Sequence, residues 1–360
     1  MIEEANTSTR VTHSMLSGNK SALAYQSHAL SRVSRTFALT IPQLPPQVRY
    51  VIGNAYLLCR IADTIEDEPE LDLSCKRGFL SRFSDVVRQK ESPDSFAADL
   101  TPLLSKGTKS DEKDLVENTS VIIDLHKRMP PSQTVPIERC VEIMCKGMSE
   151  FVDTGSEGLP DLDHVDRYCY HVAGVVGEMI TEVLCDYSAE IASQHEELFT
   201  LSSDFGRGLQ LINILKDHRE DKKRGVCWLP RKIFGRSIEA FTPSNLGSSI
   251  TASKIVHLLG VVRNRLEKSL RYIKLIPTHE IGVRRFLAWT LAFACLTHRR
   301  IRANPQFRKG EEVKISRRQV YASVAAVNFV IRSNRALQWL FNTTMPRLSA
   351  IESIVRQTRR

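Results

Sequence analysis

The sequence predicts an all-α fold in a single domain, and three observations carry that reading. Long segments repeat apolar residues at helical spacing. Short alternating runs bounded by turn residues are scarce, and no Asn-Gly pair joins two apolar runs. The interruptions between segments are local, and none resembles a flexible domain linker.

Taken in order, the first strong segment is 50–65, YVIGNAYLLCRIADTI. Residues 91–114, ESPDSFAADLTPLLSKGTKSDEKD, read as a polar connection. The segment 138–152, ERCVEIMCKGMSEFV, places Val141, Met144, Met148, Phe151 and Val152 on one side. Gly and Pro then interrupt the pattern at 153–163. Helical spacing resumes at 171–184, HVAGVVGEMITEVL, and at 198–217, LFTLSSDFGRGLQLINILKD. GVCWLPRKIFG (225–235) breaks the next helix, and the pattern returns at 252–273 and 283–300. The longest apolar stretches, 286–296 and 320–331, are too short to span a bilayer and read as buried helices. The expected organisation is a polar arm over 1–25, one helical domain over 26–345 and a basic tail over 346–360.

Hydrophobic residues make up 42% of the 360 and charged residues 25%, a globular balance. Fifty Lys and Arg against 41 Asp and Glu give +9, which suits a diphosphate, an acidic lipid surface or nucleic acid. The eight cysteines form no CxxC pair, so a reducing cytosol is the simplest compartment. The polar N-terminus has no apolar core and is not a signal peptide.

The chemistry lies in two acidic clusters. YLLCRIADTIEDE crowds Asp63, Glu66, Asp67 and Glu68 at the end of an apolar helix, and NILKDHREDKKRG carries Asp217 and Asp221. Within each pair the aspartates are four apart, one turn apart on one helix face. A single pair is usually a solvated face. Two pairs facing each other across a cavity could hold Mg²⁺, which takes oxygen ligands and bridges carboxylates to phosphates. Cations flank both clusters: Arg60 before the first, Lys216 before the second, and Lys222, Lys223 and Arg224 after it. Carboxylates for Mg²⁺ beside Lys and Arg for phosphate oxygens make a diphosphate site. An ion pair between Arg60 and the next turn is the plainer alternative, and both could hold.

VSRTFALTIP, YLLCRIADTIEDE, DRYCYHVAGVVGE, GLQLINILKDHREDKKRG and CWLP occur in the order and spacing of the squalene/phytoene synthases, which the chain resembles over roughly residues 30–335. The resemblance implies an isoprenoid-synthase helical fold around a deep cavity, and head-to-head joining of two prenyl diphosphates through a cyclopropyl intermediate. It implies that Asp63, Glu66 and Asp67 form the first Mg²⁺ motif and Asp217 and Asp221 the second. Ser34, Arg35, Arg60, Lys216 and Arg224 would bind diphosphate. Tyr56, Tyr168, Gln210 and Asn213 would lie near the reacting centre with Arg60. Phe37, Tyr56 and Tyr168 are candidates for an aromatic wall facing a carbocation, although the spacing of Phe37 suits an ordinary core residue better.

Within the family, VKISRRQV resembles the C-terminal region of squalene synthases. That likeness implies NADPH as a second cofactor, with Lys314 and Arg317 on its phosphates, farnesyl diphosphate as substrate and squalene as product. Ser316 stands where better-known squalene synthases carry Arg, Lys216 replaces an Arg, and Tyr170–His171 reverses the eukaryotic order. The alternative is an enzyme without the reductive step, releasing presqualene diphosphate, dehydrosqualene or phytoene. GRGLQL lacks a third Gly and a preceding strand, so it is no dinucleotide fingerprint.

Residues 299–318 hold eight Lys or Arg and two Glu, but no recognised nucleic-acid module accompanies them. The Trp339–Phe341 cluster suits either helix packing or a bilayer surface. The expectation is a monomeric cytoplasmic enzyme, with a peripheral contact at the inner membrane and no nucleic-acid partner.

Overall fold

Prolines, capping side chains and apolar spacing mark out the helices one by one. The structure, a computed structural model, describes residues 20–235 and 249–345. Residues 20–25, expected in the arm, already belong to α1 (Lys20–Val33), which turns Ala22, Gln26, Ala29 and Leu30 inward. The rest of the arm and the tail 346–360 lie outside the described residues. The short α2 (Phe37–Thr40) and a 3-10 turn lead into α3 (Pro46–Asp67). Pro46 opens α3, where its missing N–H is an unpaired end group in any case. Asp72 accepts from the Cys75 amide at 2.7 Å and caps α4 (Leu73–Val87).

The stretch 91–114 is largely helical rather than a plain polar connection. Ser92 caps α5 (Pro93–Leu100), which buries Phe96, Ala97 and Leu100. α6 (Ser110–Glu117) and α7 (Thr119–Lys127) follow, then α8 (Pro131–Phe151). The three positions that α5 buries are too few for periodicity to register.

α9 (Leu162–Cys169) passes through a π-helical turn, Tyr170–Gly174, into α10 (Val175–Tyr187). α11 (Ala189–Ala192) precedes α12 (His195–Lys223), and α13 (Arg231–Phe234) is one turn. The remainder is α14 (Ser249–Leu275), α15 (Ile281–Ala303), a 3-10 turn Gly310–Val313, α16 (Arg317–Val330) and α17 (Asn334–Thr344). Among the described residues there is one isolated bridge, Leu159 with Pro230, and no helix is long and apolar enough to cross a membrane.

α12 is the central rod, packed on α10, α14, α15 and the π turn. A Cβ on Gly206 would lie 1.9 Å from the Ala173 carbonyl oxygen, and one on Gly177 would lie 2.2 Å from that of Ser202. The glycine of GRGLQL therefore permits backbone-to-backbone packing. Asp166 accepts from Arg207 at 2.9 Å and from Arg265, while Asp204 accepts from Arg265 at 2.6 Å and Lys268 at 2.7 Å. These pairs tie α9, α12 and α14 together around the cavity.

One expected core helix is a surface helix. The stretch 320–331 falls in α16, which buries Val327 and Val330 but leaves Phe329 93% exposed and Tyr321 69% exposed. Its small residues let an outer helix look uniformly apolar in sequence.

Candidate active site

The two aspartate motifs sit at the C-terminal ends of α3 and α12, and both line one cavity of about 580 Å³. That places it within the size range of small-molecule sites. The same cavity is lined by Ser34, Arg35, Tyr56, Arg60, Glu66, Tyr168, Gln210, Asn213, Lys216 and Arg224. Its other walls are apolar, with Met144, Val176, Phe205, Phe286 and Leu287 among them. Phe37 also lines the cavity, 5.1 Å from the Tyr56 ring, so it is wall as well as packing.

The four crowded carboxylates of α3 divide into two kinds. Glu68 is 1% exposed and accepts from the amides of Glu70 and Ser105, each at 3.0 Å, and from the Thr108 hydroxyl. These bonds hold its carboxyl below the usual range despite burial, and they anchor the 101–109 loop. Asp63, Glu66 and Asp67 face the cavity. Asp63 is open to the cleft, its side chain 36% exposed, yet protein surrounds the cleft. That burial, with repulsion from Asp67 and against the pull of Arg60, raises its carboxyl to about 6. Burial and then Asp67 and Asp63 push Glu66 well above its ordinary value.

Arg60 lies 3.5 Å from Asp63 and is ion-paired with Glu112 of α6, which also accepts from Lys109 at 2.8 Å. Glu112 is the positioning residue that the sequence reading missed, because it stands in the stretch read as a connection. Arg224 bridges the motifs, with Nη1 2.9 Å from Asp67 and Nη2 2.6 Å from Asp221. Lys216 Nζ is 3.1 Å from both Asn213 Oδ1 and Asp217 Oδ2. Ser34 Oγ accepts from the Phe37 amide at 3.0 Å.

Tyr168 is 3% exposed, and its hydroxyl is 3.4 Å from Glu66 Oε2. Burial, then the charge of Glu66, raises the phenol well above 10, so it remains a proton donor at neutral pH. Its ring stacks on Trp228 at 3.9 Å and 8°. Trp228 comes from the break 225–235, which clasps 153–163: Leu159 N donates to Leu229 O at 3.1 Å and Arg231 N to Leu159 O at 2.7 Å. It too lines the cavity. CWLP was a signal for it in the sequence, without a role.

Lys314 and Arg317 do not line this cavity. Lys314 is exposed and pairs with Glu311 at 2.9 Å, and Arg317 opens α16 on the surface. Their segment does border the second motif, since the Gly310 amide donates to Glu220 Oε1 at 3.0 Å and an added Cβ there would lie 3.4 Å from Asp217 Oδ1. Ser316 caps α16 through the Gln319 amide, a task that explains a serine at that position.

A Mg²⁺ ion fits this donor set. All the candidate ligands are carboxylates, Glu66 Oε1 is buried with no hydrogen-bond partner, and the repulsion that raises Asp63 and Glu66 is the kind a dication relieves. Among the described residues no point gathers three acidic, His or Cys side chains, so water and phosphate oxygens would complete the coordination.

A family model described as squalene/phytoene synthase matches residues 30–319. The squalene synthase of Cyberlindnera jadinii is 32% identical over 215 residues, 58% of this chain and 45% of that protein. The presqualene diphosphate synthase of Botryococcus braunii is 27% identical over 256 residues, 69% and 59% of the two chains. The chain thus spans about half the length of such relatives. The solved structure of TcSQS with the ligand E5700 superposes with a TM-score of 0.73 at 20% identity, covering 92% of each chain. A dehydrosqualene synthase does so at 0.63 and 20%, covering 89% of this chain and 99% of that one. At such identities the superpositions establish the fold.

Proposed function

Because the chain belongs to the squalene/phytoene synthase family, we propose that it is a prenyltransferase that joins two farnesyl diphosphates head to head through presqualene diphosphate, and forms squalene with NADPH. The observation that carries this reading is a single cavity with both aspartate pairs in its wall and an apolar surface beyond them. Every proposed diphosphate and metal residue belongs to one chain, so a monomer suffices.

In this reading Asp63, Glu66, Asp67, Asp217 and Asp221 hold Mg²⁺, which when bound neutralises charge on the departing diphosphate. Ser34, Arg35, Arg60, Lys216 and Arg224 bind the diphosphates. Glu112 keeps the Arg60 guanidinium in place, and Arg224 moves from an internal ion pair to phosphate oxygens. The apolar wall excludes water from a reactive allylic cation. The rings of Tyr168, Trp228, Tyr56 and Phe37, which all line the cavity, offer electron-rich surface to it. The Tyr168 hydroxyl donates toward Glu66 and holds a proton beside the reacting carbons, where Gln210 and Asn213 add polar contacts.

Lys314 and Arg317 would take the phosphates of NADPH, which supplies the hydride of the second half-reaction. Arg317, in the first turn of α16, suits a phosphate, and Lys314 stands just before that helix. The neutralisation of Lys314 by Glu311, outside the cavity, favours a second reading in which the enzyme stops at presqualene diphosphate or a non-reduced hydrocarbon. Incubation with farnesyl diphosphate and Mg²⁺, with and without NADPH, followed by product identification, decides between them. Absence of diphosphate release would overturn both. An apolar product also implies a peripheral contact with a membrane on the cytoplasmic side.

A further inference from the structure

Helices α16 and α17 differ from the rest of the surface in composition. Three aromatic side chains stand among the exposed large apolar residues described, and all three are here: Tyr321, Phe329 and Trp339, at 69%, 93% and 63% exposure. Tyr321, Ala325 and Phe329 recur every four residues and share one side of α16. The charge is equally one-sided. From residue 313 to 351 the chain has no Asp or Glu, while Lys314, Arg317, Arg318, Arg332, Arg335 and Arg347 are positive. Arg318, Arg332 and Arg335 are exposed and make no ion pair with another described residue. Both helices pack on α15, burying Val327, Val330, Leu337 and Phe341, and on each other, and α17 also touches α14; among the described residues Tyr321, Phe329 and Trp339 remain exposed. Beneath them lies an apolar groove of about 450 Å³, walled by Leu291, Cys295, Ala326 and Leu340.

We propose that this face docks the protein on an anionic phospholipid bilayer, with Tyr321, Phe329 and Trp339 at the headgroup boundary and Arg318, Arg332 and Arg335 on lipid phosphates. Tyr and Trp favour that boundary, Phe enters the acyl region, and arginine stems reach back to phosphate while lying along apolar surface. Each arginine near an anionic leaflet adds to attraction, and no carboxylate on these helices opposes it. A twofold contact with a second copy would set the same unpaired arginines against one another. The proposal deepens the peripheral membrane contact read above and rests on it for the direction of product release, not for the composition of the face.

The test is co-sedimentation of the full chain with phosphatidylcholine vesicles, with and without phosphatidylglycerol. Binding is expected only with phosphatidylglycerol, weakening as salt rises. Tyr321→Ser/Phe329→Ser/Trp339→Ser and, separately, Arg332→Glu/Arg335→Glu should each weaken partitioning at least about tenfold. Thermal melting, and turnover of farnesyl diphosphate in detergent, should stay as in the unaltered protein. Turnover in detergent separates this surface from the catalytic reading, since a chain that never turns over can still bind vesicles. Failure of the unaltered protein to bind anionic vesicles, or equal binding by both variants, overturns the proposal. So would concentration-dependent self-association that the triple variant abolishes, which would make the face a contact between copies.

Discussion

In the proposed mechanism Asp63 would set stability against function in one side chain. Its carboxyl is raised to about 6 by burial in the cleft and by Asp67, above the 3.8 of a free Asp. Between those values the folded chain binds more protons than the unfolded one, so this group costs stability as pH rises from about 4 to about 6. Asp63→Asn removes the charge and keeps the shape. Without metal, the variant should melt higher than the parent at pH 7 to 8, by about 1–2 °C once solvent in the cleft is allowed for. The gap should close towards pH 4. With Mg²⁺ and substrate the same variant should lose most turnover, as should Asp217→Asn. Equal melting of parent and variant across that range, or near-normal turnover, would defeat the assignment. A second residue-level prediction concerns Tyr168. Tyr168→Phe keeps the ring on Trp228 and deletes the donor to Glu66. Cyclopropyl product should form about 10²-fold more slowly if the hydroxyl moves or holds a proton. An unchanged rate in single-turnover measurements would leave Tyr168 as cavity wall. The charged pairs were legible because four-residue spacing has one geometric meaning on a helix. Glu112 and Trp228 were not given roles, because each reaches the site through tertiary contacts that no local pattern records.

At the scale of elements, the ends of α14 and α16 depend on one buried cation. Arg284 of α15 is 0% exposed and has no carboxylate partner among the described residues. It donates to the Ile331, Ile273 and Ile276 carbonyls at 2.8, 3.0 and 2.6 Å, and to Asn334 Oδ1 at 2.7 Å. Helix C-terminal carbonyls carry partial negative charge and lack partners within the helix, so a guanidinium fork satisfies several at once. Arg284→Met keeps the stem and strands those oxygens. Urea unfolding should show a loss of about 2–4 kcal/mol. Arg284→Lys should recover little of it, since an ammonium cannot span the same fork. A loss under about 1 kcal/mol for Met would show that water replaces the guanidinium. In sequence this residue reads as the start of a charged pair, Arg284–Arg285, on an amphipathic helix, and its burial was invisible. The same limit made α16 look like core. Helical periodicity marks which residues share a face, and it does not say whether another helix covers that face.

The whole molecule sets the segment 310–317 beside a cavity built by α3 and α12. The long helices and their meeting at one cavity were legible from spacing and motif order. The position of 310–317 was not, because it follows from the Gly310 amide binding Glu220 rather than from any pattern in the segment itself. That position makes a division of labour testable. In the proposed reaction cyclopropane formation would depend on the groups that line the cavity, and neither Lys314 nor Arg317 is one of them. In the proposed reaction the reductive half-reaction would depend on a nicotinamide nucleotide held by Lys314 and Arg317. If these cations grip its phosphates, Lys314→Ala/Arg317→Ala removes charge-assisted hydrogen bonds worth roughly 1.5–3 kcal/mol each. NADPH binding should then weaken by at least about tenfold, taking the lower end of that range for exposed groups. Presqualene diphosphate should accumulate at an unchanged initial rate, and excess NADPH should partly restore squalene. Fluorescence titration of NADPH in the absence of substrate reads the binding loss without relying on turnover. An unchanged NADPH dependence of squalene yield would free the segment from any cofactor role. It would then leave Lys314 to its pair with Glu311 and Arg317 to the solvated start of α16.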